Sequence, residues 1–137
     1  MTQGSIEKKH KPLTERERWL ASQIVEVAIT IHRLLGPGLL ESIYEKCFCY
    51  ELAKRNISFV KQKNVELVYN GLVIDDGLRI DILVDDLIVI ELKAQELYQP
   101  VWEAQLLSYL RLTNKRLGYI LNFHVPLMKN GLRRMIL

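Results

Sequence analysis

The stretch that decides the fold is residues 78–93, Leu78-Arg79-Ile80-Asp81-Ile82-Leu83-Val84-Asp85-Asp86-Leu87-Ile88-Val89-Ile90-Glu91-Leu92-Lys93. Two short runs rich in branched apolar residues flank Asp85-Asp86, and aspartate is a turn former. The pattern predicts two central strands joined by a tight turn. Side chains alternate faces along a strand, so Glu91 and Lys93 project the same way. An acid and a lysine ending the run Leu87-Ile88-Val89-Ile90 are costly unless paired, coordinated or at the sheet's rim. Asp81 is placed likewise among Ile80, Ile82 and Leu83. The turn at Asp85-Asp86 sets the strands side by side and brings Asp81 and Glu91 together. Two converging carboxylates repel, and a divalent cation relieves the repulsion. Mg²⁺ takes one or two carboxylates plus water and phosphate oxygens. A lysine two residues on can orient a water or offset charge developing on phosphate. Those parts suit metal-assisted phosphodiester hydrolysis.

Upstream, Thr14-Glu15-Arg16-Glu17 is a capping box that starts a helix. Leu20, Ile24, Val27, Ile31 and Leu34 then recur at spacings of 4, 3, 4 and 3, the stripe of a half-buried helix. Gly36-Pro37-Gly38 stops it. A second helix runs from about Leu40 to Arg55, with Leu40, Ile43, Tyr44, Cys47 and Phe48 as its inner stripe. Val65, Leu67 and Tyr69 then alternate with polar neighbours. Asn70-Gly71 predicts a hairpin returning through Leu72–Ile74, and Asp75-Asp76-Gly77 a further turn. Downstream, Pro100 opens a third helix through about Leu112, a position proline tolerates. Arg116–Phe123 and Leu132–Leu137 read as strands, the latter after a Lys129-Asn130-Gly131 turn. The expected order is ααββββαββ: an α/β fold with a mixed central sheet flanked by helices. Residues 1–13 read as a flexible leader and 14–137 as one domain.

Composition narrows the class. The chain has 137 residues, 49% hydrophobic and 26% charged, as globular proteins have. No apolar run reaches the roughly 18 residues of a membrane span, and the polar start carries no secretory h-region. Cys47 and Cys49 lie i and i+2 on a helix and point apart, so they read as reduced thiols. Together these predict a cytoplasmic protein. The net charge is +3 and uneven: residues 104–137 carry six basic residues and no acid, leaving −3 for residues 1–103. An acidic middle beside a basic end suits cation binding in one place and phosphate contact in another, although solvated surface charge is the commoner meaning. Lys129, Arg133 and Arg134 are candidates for a nucleic-acid path on the same terms. His10, His32 and His124 are too scattered for a metal cluster. Arg79 reads as an ion-pair partner that keeps Asp81 ionised.

Asp81, Glu91 and Lys93 form D-x9-E-x-K, which resembles the signature of the PD-(D/E)XK nuclease superfamily. Gln105-Leu-Leu-Ser-Tyr109 resembles the Q-x-x-x-Y helix motif of its exonuclease-like branch. Gly38-Leu-Leu-Glu41-Ser-Ile-Tyr44 is similar to the motif that names the GxxExxY family within it. The resemblance spans about residues 14–137 and implies a restriction-endonuclease-like core. It implies Mg²⁺ or Mn²⁺ as cofactor, with Asp81, Glu91, Glu41 and the Leu92 carbonyl as ligands. Lys93 would position the attacking water, Gln105 would assist, and Tyr44, Tyr109 and Arg79 would orient the site or touch substrate. Such nucleases frequently place a histidine where this chain has Trp102. The implied partner is nucleic acid, DNA ahead of RNA. With no room here for a separate DNA-reading domain, recognition would fall to a homodimer, a protein partner or shape. An isolated Glu-x-Lys would be an edge ion pair; with Asp81, Glu41 and Gln105 in register, the site reading leads. Dipole stabilisation at a helix start competes as the explanation of Glu41. Two rival functions remain: a catalytically silent module that binds nucleic acid or protein, and hydrolysis of another phosphate ester.

Overall fold

The computed structural model describes residues 11–137; most of the predicted leader, and His10, lie outside the described residues. Helix α1 spans Glu15–Leu35 and starts as its sequence requires. Thr14 Oγ1 accepts from the Glu17 N–H at 3.0 Å, and Glu17 Oε1 accepts from the Thr14 N–H at 2.8 Å. Gly36 follows at φ +69°, beyond easy reach of other residues. Helix α2 spans Glu41–Lys54, and α3 spans Val101–Thr113 with Pro100 as its N-cap and Asn114, in the left-handed region, as its C-cap.

Seven strands follow in order: β1 (Phe59–Asn64), β2 (Leu67–Tyr69), β3 (Leu72–Ile74), β4 (Arg79–Val84), β5 (Ile88–Lys93), β6 (Leu117–Asn122) and β7 (Leu132–Ile136). The five-stranded sheet runs β1-β4-β5-β6-β7, and β2 and β3 form a separate hairpin. Only β5 and β6 pair in parallel, across the α3 crossover; the other neighbours are antiparallel. The mixed α/β sheet expected from sequence is therefore present, with one more strand than predicted. The extra strand is β1, whose Phe-Val-Lys-Gln-Lys-Asn run has no apolar face because it forms the sheet's exposed edge. The hairpin turn at Asn70-Gly71 has both residues at positive φ, as such turns require, but its strands leave the main sheet.

Two apolar cores lie on opposite faces of the sheet. Leu20, Ile24, Val27, Ile31, Tyr44, Phe48 and Leu52 of α1 and α2 cover one face. Trp102, Leu106, Tyr109 and Leu110 of α3 cover the other. Three stripe residues depart from expectation: Leu34 is 76% exposed, Leu40 73% and Ile43, in the first turn of α2, 38%. Leu34 lies in the last turn of α1, and Leu40 is the N-cap of α2 rather than part of its first turn. The inner face of α2 is instead Tyr44, Phe48, Cys49 and Leu52. Cys47 and Cys49 are both free thiols. Among the described residues, no helix is long and apolar enough to cross a membrane.

Candidate active site

The Asp85-Asp86 turn takes both residues to φ +52° and +55°, which matches the twist of the flanking strands. Asp85 does more than turn the chain. Its carboxylate accepts from Arg16 Nε at 2.8 Å and Ser58 Oγ at 2.9 Å, tying the start of α1 to this hairpin. The Arg16 contact holds Asp85 below the usual carboxylate range.

The ladder between β4 and β5 pairs Val84 with Ile88, Leu83 with Val89 and Ile82 with Ile90, and stops there. At the next position side chains take over from the backbone. The Asp81 N–H donates to Glu91 Oε2 at 3.0 Å, and the Leu92 N–H donates to Asp81 Oδ2 at 2.8 Å. The carboxylates are thereby held side by side in the gap where the strands part. In an extended strand the C=O of a residue points to the same edge as its N–H, so the Leu92 carbonyl faces this gap as well.

Glu91 is 4% exposed, one of very few buried charged side chains among the described residues. Burial, and then the Asp81 charge, push its carboxyl up to about 8. Burial raises Asp81 too, opposed by the Leu92 N–H and the Lys93 charge. Glu41, on the first turn of α2, is raised by partial burial and then by Asp81, so it sits within the field of the pair. Lys93 places its Nζ 5.4 Å from the centroid of the Trp102 ring. Trp102 is held in turn by an edge-on contact with Tyr98 at 5.2 Å.

Gln105 and Tyr109 lie on one face of α3, and Gln105 Nε2 donates to the Tyr109 hydroxyl at 3.4 Å. Burial, and then the Glu91 charge, raise the Tyr109 hydroxyl, opposed by the nearby Arg79 backbone. The Arg79 side chain is exposed and forms no ion pair with Asp81, contrary to expectation; the Leu92 N–H and Lys93 favour ionised Asp81 instead. Tyr44 is not brought to the carboxylates. Its hydroxyl donates to Gly36 O at 2.6 Å and accepts from the Leu39 N–H at 3.2 Å, and its ring stacks on Phe123. His32 bonds the Val125 carbonyl at 2.6 Å, and His124 is fixed through its backbone to Asn122. Of the basic end, Arg133 pairs with Glu103 and Lys115 with Asp86.

A family model of the PD-(D/E)XK nuclease superfamily matches residues 18–135. The chain belongs to that superfamily. Its helices and mixed five-stranded sheet are consistent with the restriction-endonuclease-like domain of PD-(D/E)XK proteins. No curated protein matches the chain. PD-(D/E)XK nucleases generally use divalent metals. Among the described residues, no three His, Cys, Asp or Glu side chains form a ready-made metal cage. The residues present nonetheless fit a hard cation: two carboxylates share one gap, each is raised chiefly by burial, and a carbonyl faces them. A cation that keeps several waters and takes phosphate oxygens asks for no more.

Two residues near this PD-(D/E)XK centre escaped the sequence reading. Asn122, 3% exposed, ends β6 beside Lys93 in register. It accepts the Gln95 N–H at 3.2 Å and donates to the Gln95 carbonyl at 2.9 Å, fixing the loop that leaves Lys93. A polar residue closing the apolar run Leu117–Leu121 was a signal of the kind that marks Glu91. Gln62, opposite Asp81 on β1, gave no signal at all.

Proposed function

We propose that the chain is a Mg²⁺- or Mn²⁺-dependent nuclease of the GxxExxY branch, hydrolysing phosphodiester bonds in DNA, with RNA the second choice. The observation that carries this reading is the pairing of Asp81 and Glu91 through each other's strand, with Lys93 on the same face as Glu91. Asp81, Glu91 and the Leu92 carbonyl would hold the cation, with Glu41 as a further carboxylate. When bound, the cation supplies charge neutralisation at the phosphate and a water of lowered pKa. Lys93 orients the attacking water and offsets charge on the phosphate, and no covalent enzyme intermediate is needed. Burial of Glu91 excludes bulk water from the carboxylate gap, which strengthens every charge interaction in it. Gln105 and Tyr109 flank the gap from α3 and contact the substrate strand.

The test is melting temperature under Mg²⁺ or Mn²⁺ titration, for wild type and Asp81→Asn. A ligand of the folded state alone raises the midpoint by mass action. Wild type is expected to rise and Asp81→Asn to stay flat. Cleavage of single- and double-stranded DNA and RNA is then followed over a salt series. A polyanionic substrate gives a steep salt slope, and a small phosphate ester a shallow one. Metal binding without cleavage of any of these would leave the chain a silent nucleic-acid module.

A further inference from the structure

Gln62 sits in the left-handed region at φ +53°, where a residue that is neither glycine nor asparagine is uncommon. It does so inside a strand. β1 pairs with β4 on both sides of this point, Lys61 with Ile82 and Lys63 with Ile80, while Gln62 and Asp81 stay unpaired between them. The distortion crosses to β4: Ile82 and Val84 pack into the α1/α2 core, yet Ile80 packs into the α3 core. Regular alternation would put Ile80 with Ile82. Strained backbone of this kind persists only where surrounding contacts enforce it, and it concentrates at functional sites.

The Gln62 side chain shows what the distortion achieves. Its Nε2 donates to Glu45 Oε2 at 2.6 Å. Glu45 lies one helical turn after Glu41 on α2. In register Gln62 stands directly across from Asp81 on the neighbouring strand, and it acts against the effect of burial on the Asp81 carboxyl. Gln62 therefore ties the helix carrying Glu41 to the edge strand beside Asp81. It stands on the side of Asp81 opposite the Leu92 N–H.

We infer that Gln62 is a positioning residue that holds the Asp81 carboxylate, and α2 with Glu41, in place for a divalent cation. This rests on the metal reading proposed above. An ordinary structural residue would stabilise the fold and leave cation binding alone. Gln62 is expected to do the reverse, because glycine at this φ removes backbone strain while deleting the amide.

The experiment measures the metal-free melting temperature and the Mn²⁺ dissociation constant of wild type and Gln62→Gly, using Mn²⁺ alone as the probe. The expected result is an equal or higher metal-free melting temperature with Mn²⁺ bound about tenfold or more weakly, the loss typical of residues that orient metal ligands. A Gln62→Gly dissociation constant within about twofold of wild type overturns the inference and leaves the metal reading standing, since a lost orienting contact costs about tenfold or more. If wild type binds no Mn²⁺, the metal reading fails and this inference fails with it. Should Gln62→Gly not fold, Gln62→Asn, which tolerates the same backbone but is too short to bridge, is read by the same criterion.

Discussion

Asp81 and Glu91 are each bound by the strand that carries the other. The Asp81 N–H donates to Glu91 Oε2, and Asp81 Oδ2 accepts from the Leu92 N–H. Each carboxylate thus satisfies a backbone donor that the broken ladder would leave unpaired, at the expense of placing two acids together. With both acids ionised the arrangement is electrostatically frustrated, and the proposed divalent cation would relieve it.

That frustration sets a pH dependence. Glu91 keeps its proton to about 8 in the folded chain, against 4.5 as its ordinary value. Between those values folding takes up a proton, so metal-free stability is greatest at the acid end of the window. It falls as pH rises through the window and levels off above it. Asp81, also raised, acts in the same direction. With chelator present, the melting temperature is expected to fall by roughly 10 °C between about pH 5 and pH 8, for a loss on the order of 3 kcal/mol. Glu91→Gln removes most of that fall. Saturating Mg²⁺ reverses the slope, because the cation binds the deprotonated carboxylates. A metal-free melting temperature that is flat over this range in wild type would show that Glu91 is not raised.

A Lys93 substitution is expected to separate chemistry from binding. Its ammonium faces the Trp102 ring, and its charge favours ionisation of both acids. Lys93→Met keeps an apolar stem on the ring and removes the charge. Hydrolysis is expected to drop about 10²- to 10⁴-fold, the usual contribution of a group that handles the attacking water. Mg²⁺ binding is retained or strengthened, because a competing positive charge has gone. Single-turnover cleavage and Mg²⁺-dependent melting, measured on one preparation, check this. Loss of cation binding along with cleavage would make Lys93 a structural residue.

Legibility followed locality. The Thr14 capping box, the Asn70-Gly71 turn and the Asp81–Glu91–Lys93 hairpin were all readable because each is encoded within about sixteen residues. Strand β1 was not, because an edge strand with one partner carries no alternating apolar face. Leu34 and Leu40 fit the helical period but fall at helix ends, which periodicity locates poorly. Gln62 was invisible for a different reason. Its place arises from a distortion shared with β4, and nothing in Val-Lys-Gln-Lys-Asn records the partner strand. The Glu-x-Lys spacing predicted that Glu91 and Lys93 share a face; that Asp81 and Glu91 each bind the other's strand depends on where the ladder stops.

Tyr44 tests a motif residue against its contacts. Its buried hydroxyl bridges Gly36 O and the Leu39 N–H, closing the loop between α1 and α2. Tyr44→Phe leaves both backbone groups without that partner, at a cost of about 1–3 kcal/mol. Mg²⁺-dependent stabilisation should be unchanged. The reverse pattern, unchanged stability with cation binding lost, would return Tyr44 to the site.

Gly131 couples a packing constraint to the loop beside Lys93. A Cβ on Gly131 would lie 2.0 Å from the Asn122 carbonyl oxygen, and that contact is backbone, which cannot swing aside. The Asn122 N–H donates to Gly131 O at 2.8 Å, so the two segments are also bonded there. Displacing Asn122 moves the side chain that holds Gln95, two residues beyond Lys93. Gly118 is the comparison: its closest contact is the flexible Leu106 side chain at 2.8 Å, with Val89 O at 3.2 Å. Gly131→Ala is expected to cost roughly 3 kcal/mol or more and to lower the melting temperature by about 10 °C, with Gly118→Ala losing about half as much. Where Gly131→Ala still folds, hydrogen exchange at Gln95 should accelerate before exchange in β4 does. Equal losses for the two variants, with Gln95 still protected, would mean that Asn122 does not transmit the clash to the loop.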